Sequence, residues 1–187
     1  MPTINMRWLT RAVVRAHQHS AGAKGGMHLQ KPLVAALVGL STKIHAVVDG
    51  LGNPLCFHLT PGQACDLDGA DQLLPNIVAD TVLADKCYDA DERVIERLQA
   101  QGKTALIPAK RNHNNPRDYD RDLYQARHLI EIFFAFLKHY RAIATRYDKR
   151  AANFLGAIYL AASVIWLNWW HALVFYIVPL YRRLLSI

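Results

Sequence analysis

Hydrophobic and polar positions change their period several times along the chain, and each change predicts an element. Ala12–Ala16 alternates weakly and predicts a short strand. Two β-rich runs, Thr42–Val48 and Leu55–Thr60, flank Asp49-Gly50-Leu51-Gly52-Asn53-Pro54 and predict an antiparallel hairpin. Asp66–Ile77 predicts a helix, and Thr81–Ala84 a short apolar strand ending at Asp85. Asp89, with Glu92 three residues on, has the spacing of an N-terminal capping pair and predicts a helix that stops near Gly102. Thr104–Pro108 predicts another strand, and Lys110–Asp120 a polar loop. Two long helices follow, Arg121–Arg141 and Ala151–Asn168. Strands early and helices interleaved later predict a layered α/β or α+β domain, without internal repeats.

The helix over Arg121–Arg141 has an uneven wheel. Tyr124, Arg127, Glu131 and Lys138 share one stripe within about 60° of arc. Leu123, Leu129, Ile130, Ile132, Phe133, Phe134, Phe136 and Leu137 cover most of the remaining circumference, so the helix is expected to be buried on most sides. A glutamate flanked by Arg and Lys along one ridge can hold a metal ion while the cations grip phosphates. The plainer alternative is a solvated face with an Arg127–Glu131 pair worth about 0.3–0.5 kcal/mol.

Charge sharpens this picture. The chain has 187 residues and a net charge of +7, unevenly spread. Residues 1–48 carry six Lys/Arg and no Asp or Glu; residues 49–106 carry four basic and ten acidic residues; residues 107–150 carry ten basic and five acidic. Basic segments flanking an acidic one suggest a polyanion-binding surface around a cation-binding centre. With 52% hydrophobic residues the chain is no disordered segment, and its length fits one domain. Cys56, Cys65 and Cys87 form no C-x-x-C pair, which excludes a zinc ribbon and a disulfide framework and predicts small buried hydrophobes. Gly22-Ala23-Lys24-Gly25-Gly26 lacks the spacing of a nucleotide P-loop. The N-terminus lacks the apolar core of a secretory signal, so a cytoplasmic protein is expected. His17 and His19 alternate as a metal pair could, but their position favours DNA-proximal or structural roles, while His45 and His58 fall in the hairpin. Lys110, Arg111 and Arg117 are candidate phosphate contacts.

The run from Tyr124 through Arg127 and Glu131 to Lys138 resembles the Y-x2-R-x3-E-x6-K signature of bacterial insertion-sequence transposases of the DDE superfamily. More specifically, the sequence looks like the IS-five-like group. Further blocks in the same order carry the resemblance: Val14-Arg-Ala-His-Gln-His-Ser-Ala-Gly-Ala-Lys-Gly-Gly26, Leu40-Ser-Thr-Lys-Ile-His45, Leu59-Thr-Pro-Gly-Gln63, Leu83-Ala-Asp-Lys86 with Tyr88-Asp89, and Ala144-Thr-Arg-Tyr-Asp-Lys149. Together they cover roughly residues 13–168. The resemblance implies a ribonuclease-H-like α/β fold, a mixed sheet flanked by helices. It also implies three carboxylates holding two Mg²⁺ ions, which activate a water or DNA 3′-hydroxyl and stabilise the leaving oxygen. Asp85 and Glu131 take the places of the second and third carboxylates as catalytic and metal residues. Tyr124, Arg127 and Lys138, with Lys110, Arg111, Arg15 and Lys24, are the implied DNA-binding residues. DNA is the expected partner, and a homo-oligomer a possible one.

The sequence departs from the family in places. The resemblance puts the first Asp just before the Val-Arg-Ala-His block, as Asp-Ser-Thr; here Thr10, Arg11 and Ala12 stand there. A neutral hydroxyl is a poor replacement for a charged ligand, and Arg11 is expected to repel the cation further. His28–Val38 replaces an Arg/Gly-rich loop. These gaps predict a truncated or frameshifted copy, incomplete at the N-terminus and impaired as a catalyst. The expected division is a catalytic domain over 1–168 and an apolar C-terminal extension over 169–187. From Phe154 to Tyr181 there is no charged residue, so a membrane helix is a competing reading. Asn168, His171 and Pro179 interrupt the run and argue against it, and Trp166, Trp169 and Trp170 are expected in the core or in an exposed sticky patch. The competing functions are therefore a non-catalytic DNA-binding remnant and a small membrane-associated protein using 154–181.

Overall fold

The computed structural model describes residues 5–17, 41–110, 124 and 127–172. Strand β1 (Met6–Ala16) is the centre of the sheet. It starts six residues before the predicted Ala12–Ala16, because Arg7–Arg15 pair along their length with β2 (Ser41–Asp49). Pairing on one edge holds the chain extended where its own alternation is weak. β2 and β3 (Pro54–Pro61) form the predicted hairpin. Its turn is closed by Asp49, whose Oδ1 accepts the amides of Leu51 and Asn53, each at 2.9 Å. Gly52 sits at φ +87°, which only glycine adopts cheaply.

After the hairpin come helix α1 (Asp66–Leu73) and a 3₁₀ turn, Leu74–Asn76. The predicted helix over Asp66–Ile77 stops early because Pro75 has no amide hydrogen to donate. Strand β4 (Thr81–Ala84) is as predicted and is followed by a 3₁₀ turn, Lys86–Tyr88. A π-helical turn (Asp91–Ile95) then leads into α2 (Glu96–Ala100). The expected Asp89–Glu92 capping pair does not form. Ala90 is the N-cap, with no side-chain cap bond, and Asp89 Oδ2 instead accepts the amide of Lys110 at 2.7 Å. β5 (Thr104–Leu106) ends before the predicted Pro108.

The helix expected over Arg121–Arg141 is described as α3 (His128–His139), with Arg141 in a separate short helix, α4 (Arg141–Ala144). Only Ile130, Phe133, Phe134 and Leu137 of α3 are buried, while Phe136 is exposed. The helix is therefore buried on one face, not on most sides. β6 (Thr145–Arg146), which the pattern does not predict, pairs with Arg15 and Ala16. The last element, α5 (Ala151–Ala172), carries on through the boundary expected at 168/169.

The sheet order is β3-β2-β1-β4-β5, with β1–β3 antiparallel and β4 and β5 parallel to β1. This is the ribonuclease-H-like arrangement expected from the sequence. Successive side chains of β1 enter opposite faces. Trp8, Ala12 and Val14 join a core with Phe133, Leu137, Phe154 and Ile158 beneath α3 and α5. Leu9 joins the other core, with Ala70, Leu73 and Leu98 beneath α1 and α2.

Ala151–Asn168 is long and apolar enough to cross a membrane, and 28% of that window is buried. Its Phe154, Ile158, Ala161, Ala162 and Ile165 form one buried stripe of the domain core. Trp166 is exposed. The cysteines are free, with Cys65 exposed and Cys56 and Cys87 half-buried, so none is the fully buried hydrophobe expected.

Candidate functional site

β1 and β4 are paired only from Met6–Leu9 and Thr81–Ala84. The next residues, Thr10 and Asp85, lie side by side where β4 ends and the edge of β1 opens. Crevices at the C-terminal ends of parallel strands are the usual ligand sites of α/β sheets. Thr10 Oγ1 donates to Asp85 Oδ2 at 2.7 Å. The Asp85 carbonyl accepts the Tyr88 amide at 2.9 Å, which fixes the turn carrying the carboxylate.

Arg127 and Tyr124 reach the same carboxylate from the other side. Arg127 Nη1 donates to Asp85 Oδ1 at 2.5 Å, and the Tyr124 hydroxyl lies 3.4 Å from that oxygen. Arg127 Nη2 donates to Glu131 Oε1, one turn along α3. One guanidinium thus links a carboxylate on a strand end to a carboxylate on a helix. Burial lowers the Arg127 pKa, but the adjacent Asp85 outweighs it and the net shift is upward. The guanidinium also lies 5.6 Å from the centroid of the Tyr124 ring. Lys138 is exposed further along α3.

The expected residues therefore separate into groups. Asp85, Tyr124, Arg127 and Glu131 come together. Arg15 is exposed near the far end of β1. The Lys110 ammonium donates to the Asp89 carbonyl at 2.9 Å, so this side chain is tied to the fold. Lys24, Arg111, Arg117, His19 and His28–Val38 lie outside the described residues. His17 stacks on Tyr147, with centroids 4.6 Å apart. Among the described residues, no group of three or more His, Cys, Asp or Glu side chains is placed to hold a metal ion.

The expectation for Arg11 is corrected. Strand alternation sends it to the face opposite Thr10, where its Nε lies 2.6 Å from Asp66 Oδ1. Its charge is taken up there. Lys43 Nζ donates to the same oxygen at 2.7 Å. Burial opposes ionisation of Asp66, but the bond from Lys43 and the adjacent Arg11 guanidinium bring the net pKa down.

This face also holds a buried network that sequence reasoning left as hairpin residues. His45 is fully buried, with Nδ1 3.0 Å from the Tyr88 hydroxyl and Nε2 2.8 Å from Thr60 Oγ1. Burial holds its pKa down at about 4. The network ties β2 to the turn that begins at Asp85. Its sequence signal was the placement of His45 and Tyr88 inside two of the quoted blocks.

Comparison with known proteins agrees with these blocks. Residues 14–166 match the model of the transposase DDE domain family. A putative transposase for insertion sequence element IS6501 from Brucella ovis is 40% identical over 133 residues, which is 69% of this chain and 100% of the relative. Among solved structures, the catalytic core domain of BIV integrase is similar over 84% of this chain and 80% of that one, at 11% identity and a TM-score of 0.42. Domain match and curated relative lead to one assignment: the chain belongs to the DDE transposase family, whose members cut and transfer DNA strands with divalent metal ions.

Proposed function

We propose that this chain is a DNA-binding transposase domain of the IS-five-like group whose catalytic centre lacks one ligand. Asp85 and Glu131 are its remaining catalytic carboxylates, and Arg127, Lys138 and Tyr124 contact DNA near the scissile phosphate. Arg15, Lys24, Lys110 and Arg111 extend the basic surface, with Lys110 acting through whatever reach its bond to Asp89 leaves. The domain includes α5, which runs past residue 168 to Ala172, and it works in the cytoplasm as a homo-oligomer on DNA ends.

The observation that carries this reading is the Thr10–Asp85 hydrogen bond at the end of β4. Thr10 stands where the family has its first Asp. Two Mg²⁺ ions would supply an activated nucleophile and a stabilised leaving oxygen. The donors here are two carboxylates and a neutral hydroxyl, and the hydroxyl proton is directed at Asp85. This set fits one divalent ion and does not fit two. DNA binding survives in this reading, and strand transfer does not.

The test uses DNA bearing the element's own ends, with Mg²⁺ or Mn²⁺. The chain is expected to bind this DNA in a salt-sensitive way without cutting it, and the Thr10→Asp variant to regain Asp85-dependent nicking. Robust Asp85-dependent cleavage by the unmodified chain overturns the reading. The buried stripe of α5 favours a core helix over membrane insertion.

A further inference from the structure

Arg127 links two carboxylates. Its two Nη nitrogens go to different carboxylates, Asp85 and Glu131, instead of gripping one carboxylate in a fork. Asp85 is fixed: Thr10 holds one oxygen, and the 3₁₀ turn holds its backbone. Glu131 lies in the first turn of α3. The long Arg127 side chain is the adjustable part, and it is 36% exposed beside a Glu131 that is 57% exposed. A phosphate arriving from solvent can reach this guanidinium, which is suited to bidentate phosphate binding.

We infer that Arg127 is the resident cation of the Asp85–Glu131 pair and is exchanged for a divalent ion when DNA binds. A DNA phosphate takes the guanidinium, and the two released carboxylates then take the ion. Without DNA, the ion must displace an arginine that has no other anion to go to. Without the ion, DNA must draw Arg127 away from two carboxylates that are left facing each other. DNA and divalent ion therefore bind cooperatively, and linkage makes the effect equal in both directions. The device keeps the carboxylates unmetallated until DNA is in place. It rests on the proposed roles of Asp85 and Glu131 and on DNA as the polyanion.

The test measures Mn²⁺ binding to the full chain, by the electron paramagnetic resonance signal of free Mn²⁺, with and without saturating duplex DNA, after subtracting the Mn²⁺ taken up by the same DNA without protein. DNA is expected to tighten Mn²⁺ binding on the order of tenfold, a typical coupling. Arg127→Gln should bind Mn²⁺ without DNA as tightly as the wild type does with it, and DNA should add nothing. Arg127→Lys, which keeps the charge but cannot span both carboxylates, should fall between. Circular dichroism establishes that each variant is folded. Unchanged or weaker Mn²⁺ binding by folded Arg127→Gln, no effect of DNA on the wild type, or no Mn²⁺ binding by any form overturns the exchange. Adding Asp85→Asn or Glu131→Gln to Arg127→Gln should abolish the gain. Persistence of the gain in those variants, or a wild type that binds no DNA, shows instead that the underlying site reading is wrong.

Discussion

Thr10 donates its hydroxyl proton to Asp85 across the end of the paired stretch between β1 and β4, at 2.7 Å. The bond exists because the parallel register that pairs Leu9 with Ala84 brings the next residue of each strand together. A donor at this position satisfies a carboxylate oxygen. An acid there would repel it. Replacing Thr10 with Asp should therefore destabilise the metal-free protein at neutral pH by about 1–3 kcal/mol, through a lost bond and an added like charge. Mn²⁺ should raise the Tm of the variant more than that of the wild type, since a ligand that binds only the folded state stabilises it. Thermal unfolding with and without Mn²⁺ checks both effects.

Restoring the ligand should not require changing Arg11. Its partner is Asp66 on the other face, at 2.6 Å, so Arg11→Ser leaves that carboxylate to Lys43 alone. The expected outcome is a loss of about 1 kcal/mol in urea unfolding. Mn²⁺ affinity should not change; an increase would show that the charge does act on the site.

Binding of duplex DNA should weaken steeply with salt. Each phosphate contact contributes a slope of about −0.9 in log K against log[salt]. Arg127→Ala with Lys138→Ala should make the slope shallower by roughly one such step for each contact removed. Lys110→Ala should have less effect, because this ammonium already donates to the Asp89 carbonyl. Filter binding or fluorescence anisotropy across a salt series measures the slopes, and an unchanged slope in the double variant would show that the α3 ridge does not touch DNA.

Stability should fall in mild acid. His45 is held at about 4, below its ordinary value of 6.5, chiefly by burial. Between those values the unfolded chain takes up a proton that the folded chain refuses, so stability drops as pH falls from about 6.5 towards 4. Asp66 raises the His45 pKa, while His58, Lys43 and Arg11 add to its lowering. His45→Gln should be less stable at pH 7 but should lose less between pH 7 and pH 5. Urea unfolding at the two pH values gives the comparison.

Helix α1 approaches β2 closely at one point. A Cβ on Gly69 would sit 2.3 Å from His45 Nδ1, a distance that real Cβ atoms do not show. His45 is held on both ring nitrogens and has nowhere to move. Gly69→Ala should therefore destabilise by about 1–3 kcal/mol despite the higher helix propensity of alanine. A neutral or stabilising result in chemical denaturation would mean that the His45 network can shift.

Local chemistry made much of this protein legible. The Asp49–Pro54 turn, the β-rich runs around it and the apolar Thr81–Ala84 are encoded by neighbouring residues, and the structure forms them within a residue or two. The Tyr124, Arg127 and Glu131 spacing follows the helical period, which by itself puts these side chains on one ridge. The absence of an acid at Thr10 is a matter of sequence alone.

Pairing with distant strands decided the rest. β1 is eleven residues long because β2, β4 and β6 hold it, not because its own alternation is strong. Strand alternation at Thr10 and Arg11 put neighbours in sequence on opposite faces, one against Asp85 and one against Asp66. Asp89 looked like a cap because Glu92 follows it, yet the amide of Lys110, in the irregular chain after β5, takes its carboxylate. The Arg127–Glu131 pair follows from i,i+4 spacing, but no local pattern indicates that the same guanidinium would also reach Asp85. That bridge exists because a strand end and a helix turn, far apart in the chain, are brought within the reach of one guanidinium.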